Sequence, residues 1–74
     1  MTTVSMPAAV EIEGVVLEVF PTFGMAHVRT ALGSVYGLNR TTPGVDFDRL
    51  QEGQRLLCEV KEKFHRVVHA TLVE

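Results

Sequence analysis

Three side chains in the C-terminal third have the right chemistry to hold a metal ion: Cys58, His65 and His69. Their spacing is wrong for it. In a strand, positions i and i+4 share a face but lie about 13 Å apart, too far for one ion. The two histidines therefore read as solvated side chains and Cys58 as a core thiol. No metal and no cofactor is expected. Asp46, Asp48 and Glu52 could in principle pair as acid and base. They fall in a turn-rich loop with no nucleophile beside them, where Asp usually bonds its own backbone. No phosphate-binding glycine loop or nucleophile–base arrangement occurs, so an enzyme is not expected. What remains is non-covalent. The rings of His27, Tyr36 and Phe47 can stack, Leu17, Met25 and Leu38 can make apolar contacts, and Arg29, Arg40 and Lys61 can neutralise phosphate.

These groups need a scaffold, and the periodicity predicts an all-β one. Val10 to Phe20 reads as a long first strand whose apolar parity changes, which predicts a bulge at Gly14. Pro21–Gly24 is a turn. Met25 to Thr30 alternates as a second strand, and Ala31–Ser34 is the next turn. Val35 to Leu38 is a short third strand. Asn39 to Gln54 is too long for a hairpin and should cross a barrel end, anchored by Val45, Phe47 and Leu50. Gly53 marks a turn requiring positive φ. After it, Leu56, Cys58 and Val60 alternate with Leu57, Glu59 and Lys61 as a fourth strand, and Arg66 to Val73 is a fifth. Five strands with one long connection predict a five-stranded antiparallel Greek-key barrel of the oligonucleotide-binding type, with a small open β-sandwich or an SH3-like barrel as the alternative. Its expected core is Val16, Val19, Val28, Val35, Leu56, Cys58, Val60, Ala70 and Leu72, with Val68 also turned inward.

With 74 residues the chain is one domain near the lower size limit for independent folding. Residues 1–9 read as a flexible tail and residues 10–74 as the domain. The single cysteine can make no internal disulfide, and a reducing cytoplasmic setting is the expectation. No apolar run reaches the ~20 residues of a membrane span, and the first residues lack the pattern of a signal peptide. The net charge of -2 argues against binding duplex nucleic acid by phosphate neutralisation, but not against binding through base stacking.

From Glu13 to Val73 the chain resembles the bacterial cold-shock domain. Glu13-Gly14-Val15-Val16 is similar to the family's opening strand. Val35-Tyr36-Gly37-Leu38 falls where its second nucleic-acid motif is expected. Phe47-x-x-Leu50-x-Glu52-Gly53-Gln54 repeats the family's Phe-x-x-Leu-x-Glu-Gly-Gln residue for residue. The departures concentrate on one face. Glu18 stands where the family has Trp, Met25 and His27 where it has Phe, and Leu38 and Asn39 where it has His and Phe. The S1 domain is a weaker match, sharing the opening strand and Phe23-Gly24 of the first turn.

The resemblance implies a single-stranded RNA or DNA site on the strand-two/strand-three face. Tyr36, His27 and Phe47 would stack on bases, Met25, Leu17 and Leu38 would give apolar support, and Arg29, Arg40 and Lys61 would contact phosphate. Each stack is worth ~1–3 kcal/mol, so this depleted platform implies weak, sequence-tolerant binding. The alternative is a protein-interaction module that keeps the barrel and presents Met and Leu in place of stacking rings.

Overall fold

The structure, a computed structural model, describes residues 10–73; the expected tail over residues 1–9 lies outside them. The elements are β1 (Val10–Phe20), a 3-10 turn (Pro21–Phe23), β2 (Met25–Thr30), β3 (Val35–Asn39), a 3-10 turn (Phe47–Arg49), β4 (Arg55–Lys61), a 3-10 turn (Glu62–Phe64) and β5 (Arg66–Leu72). The strands close in the order β1-β2-β3-β5-β4, which is an oligonucleotide-binding barrel. Four seams are antiparallel. The fifth, β3 to β5, is parallel and consists of one pair, Gly37 with Arg66, so the expectation of a wholly antiparallel barrel is corrected there. Among the described residues no helix is long and apolar enough to cross a membrane.

β1 serves two neighbours. Its first half pairs with β4 and its second half with β2, and Gly14 pairs with both. A side chain at Gly14 would run into that of Val28 and meet the Arg29 carbonyl oxygen at 3.3 Å. Glycine is therefore needed there for close approach of β1 to β2, not for a bulge. The irregularity falls between Val16 and Glu18 and leaves Leu17 unpaired. That extra residue returns Val19 to the inner side, where it packs half-buried against the core. Turn residues carry β1 onward: Val16 N–H donates to the Gln54 carbonyl at 2.8 Å and Gly53 N–H to the Val16 carbonyl at 2.9 Å. Gly53 has φ 90, the left-handed conformation its position required.

The core comprises Val16, Ala26, Val28, Tyr36, Leu38, Phe47, Leu50, Leu56, Cys58, Val60, Val67 and Ala70. Expectation and structure differ at three places. Val35 is 39% exposed, because β3 has the opposite parity to the one assumed, with Tyr36 and Leu38 pointing inward. Val68 is only half-buried. A second irregularity, where Glu59 pairs with His69 but Val60 pairs with Val67, gives the inward place to Val67. Leu72 pairs with buried Leu56, yet at the end of β5 it lines a shallow groove with Val45 and Leu50 and is 42% exposed. The thiol of Cys58 is buried as expected, and burial pushes it up to about 11 from an ordinary 9.0.

The long connection between β3 and β4 closes one end of the barrel. Phe47 and Leu50 are buried and Val45 half-buried against the core. Thr42 Oγ1 accepts from Asn39 N–H at 3.0 Å, and Asp46 accepts from Asp48 N–H at 3.2 Å to start the second 3-10 turn. Ala70 N–H donates to the Pro43 carbonyl at 3.1 Å, which ties this connection to β5.

Candidate nucleic-acid interface

Register decides which side chains share the outer face, since cross-strand partners project to the same side. Ala26 pairs with Leu38 and Val28 with Tyr36, and the two β2 residues are buried, so the two β3 residues are inward too. Tyr36 and Leu38, expected on the binding face, are therefore core residues at 6% and 3% exposure. Phe47 is corrected likewise: at 4% exposure it cannot stack on a base. Its outer side is already covered by the Arg40 guanidinium, 4.7 Å from the ring centroid.

Arg40 is not a spare phosphate contact either. It forms an ion pair with Asp48 and donates from Nη2 to the Pro21 carbonyl at 3.0 Å. Its backbone N–H donates to the Gly24 carbonyl at 2.9 Å. It works as a clip, holding the loop between β1 and β2 against the end of β3.

The residues that do face outward form rows across the barrel. One row runs Glu18 (β1), His27 (β2), Gly37 (β3), Arg66 (β5) and Lys61 (β4). It begins acidic, passes an imidazole and bare backbone, and ends on two cations. Gly37 has nothing within 4 Å of where a Cβ would stand, and its φ is not in the left-handed range. It is a glycine that its own backbone does not require. In a strand interior such a residue often marks close approach of a ligand or another backbone. The next row is Phe20, Met25 and Asn39. The Phe20 ring meets His27 edge-on, with centroids 5.4 Å apart and planes at 73°. Met25 is 38% exposed and His27 half-buried, so both expected residues lie on this face.

Two loops flank the rows, and each offers a ring absent from the expected site. Phe23, in the turn after β1, is 78% exposed, and Phe64, in the turn after β4, is 64% exposed. Lys63 Nζ lies 5.8 Å from the Phe64 centroid. His65 follows with φ 51, rare for a residue other than glycine. In that conformation its carbonyl accepts Gly37 N–H at 3.0 Å, and its ring lies 5.4 Å from that of Tyr36. The loop after β4 is thus fastened beside Gly37. Phe23 and Phe64 carry no periodic signal. The available clue was a large apolar residue in a turn of two or three residues, with no strand neighbour to pack against.

Arg29 and Leu17 are exposed but open onto a separate groove at the β2–β3 hairpin. Of the expected site, then, Met25 and His27 share the outer face of β2, Lys61 stands on β4 at the far end of the His27 row, Leu17 and Arg29 share a neighbouring groove, and Tyr36, Leu38, Phe47 and Arg40 are structural. Comparison with protein-family models, curated proteins and solved structures returns no match.

Proposed function

We propose that this barrel binds single-stranded RNA or DNA, weakly and with little sequence preference, on the outer face of β2 and β3 and the two loops beside it. The observation that carries the reading is the row His27–Gly37–Arg66–Lys61 with exposed Phe23 and Phe64 on its flanking loops. Flat rings surround an uncovered strip of backbone, and cations follow along one side. That combination suits bases stacked on Phe23, Phe64 and His27, with phosphates near Arg66, Lys61 and Lys63. Few rings are present and Glu18 repels phosphate, so the affinity is modest. The loop over Phe47 to Gln54 supports descent from a cold-shock-type ancestor that lost its platform aromatics. A cytoplasmic setting belongs to the same proposal, because a buried free thiol persists where disulfides do not form.

Met25 and Val35, apolar and exposed on this side, favour a second reading as a protein-binding face. Salt separates the two. Fluorescence anisotropy with a short labelled oligopyrimidine should show binding that falls steeply with salt and is weakened by Phe23→Ala together with Phe64→Ala. Absence of binding at low salt would leave the protein-binding face as the better reading.

A further inference from the structure

Beside the ring face, β1 and the β2–β3 hairpin enclose a groove of about 600 Å³. Its chemistry follows from one register row. Val15 pairs with Arg55 of β4 on one side and with Arg29 of β2 on the other. Neighbouring strands lie about 4.8 Å apart, so the two arginines stand roughly 10 Å apart at the backbone with an exposed aliphatic residue between them. Leu17, displaced outward by the β1 irregularity, adds to the apolar floor, and Leu32 at the hairpin tip is 95% exposed. No carboxylate lies within ion-pair distance of Arg29 among the described residues. Arg55 meets Glu13 at 3.6 Å, but both side chains are half in solvent, so that pair exchanges readily for a stronger anion.

The groove adjoins the ring face. Arg29 and His27 are two apart on the outer side of β2, about 7 Å along the strand. A single strand lying over Gly37 and leaving along β2 reaches Arg29 next, one row away from Glu18.

We infer that this groove holds the continuation of the bound single strand, with Arg29 and Arg55 clamping two of its phosphates over the Val15–Leu17 floor. The inference rests on the ring-face reading and extends it: the footprint is longer than the platform, and part of the affinity resides on β4. Guanidinium suits the task, since its fork donates to phosphate oxygens in bidentate geometry.

The test is anisotropy on the full chain with labelled oligothymidylates of about four and about ten nucleotides, at several salt concentrations. The longer probe should bind on the order of tenfold more tightly. Arg29→Ala with Arg55→Ala should erase most of that length advantage and lower the salt slope for the longer probe by about 1.4, that is ~0.7 per lost phosphate contact. The greater number of binding registers on a longer strand is the same for both proteins and cancels. Glu13→Gln should raise affinity for the longer probe by releasing Arg55. All three positions are exposed, and thermal melting checks that the variants fold. A double variant that keeps both the length advantage and the salt slope overturns the clamp while leaving the ring face standing. Equal affinity for the two lengths also overturns it and leaves the two arginines to an acidic protein segment. No binding of either probe overturns the ring face and the clamp together.

Discussion

Replacing Gly37 should separate stability from binding. Its outward position is open, with nothing within 4 Å of an added Cβ, and its backbone has no positive φ to relieve. Glycine in a strand interior costs about 0.5–1 kcal/mol relative to alanine. Gly37→Ala should therefore stabilise by about that amount, which for a domain of this size raises Tm by roughly 2–8 °C. Gly37→Leu should also fold, because the space is free, but it places a branched side chain between His27 and Arg66. If one stacked base is lost, at ~1–3 kcal/mol, affinity for a short oligonucleotide should drop about 5- to 150-fold. Thermal melting and anisotropy on the same samples read the two effects. A folded Gly37→Leu protein with wild-type affinity would refute the claim that the strand crosses β3 at this point. A Gly37→Ala protein that melts several degrees lower would show that the notch is needed by the fold itself.

The solvent-exposed rings should behave as contact residues: Phe23→Ala or Phe64→Ala should each lower affinity by ~1–3 kcal/mol while leaving Tm nearly unchanged, as measured by anisotropy and calorimetry. Gly44 is the opposite case. It has φ 93, and an added Cβ would collide with the Ala70 carbonyl oxygen and come within 2.8 Å of the His69 ring, so Gly44→Ala should destabilise by more than the ~1–3 kcal/mol of backbone strain alone, read by urea melts. Cys58 should resist thiol reagents until the protein unfolds. Its folded thiol stays protonated up to about 11 while the unfolded one ionises from about 9.0, so its contribution to stability is intact below pH 9 and is lost between those values; the pH dependence of Tm should lack that component in Cys58→Ala.

The strands were legible because turns and alternation agree. Glycines or proline punctuate the chain between clean period-two runs, and β1 and β2 begin and end where the pattern does. Facing was less legible wherever a strand takes an extra residue. An insertion such as Leu17 or Val68 inverts every later side chain without altering composition, so parity read from one end misplaces the other. β3 is short, and its only small residue, Gly37, carries no polarity to mark the outside. The likeness of Val35–Leu38 to a nucleic-acid motif then suggested an outward Tyr36. Pairing with β2 contained the correction: once Ala26 and Val28 are inward, the hairpin register carries Tyr36 and Leu38 with them. The ring-bearing loops could not be read from periodicity, because a three-residue turn has none.

The seam between β3 and β5 has a dynamic consequence. Every other seam of the barrel is a ladder of five or more paired residues, whereas this one has the single pair Gly37 and Arg66, with the Gly37 amide bonded to the His65 carbonyl. Local opening should begin there, well below the free energy of global unfolding. In native-state hydrogen exchange, the Gly37 amide should be released by this partial opening, while the amides of Val28 and Cys58 should wait for the whole barrel. A strand bridging His27 and Phe64 would span that same gap and slow the Gly37 amide most of all. Ligand binding would then act as the missing rungs of the barrel's shortest ladder.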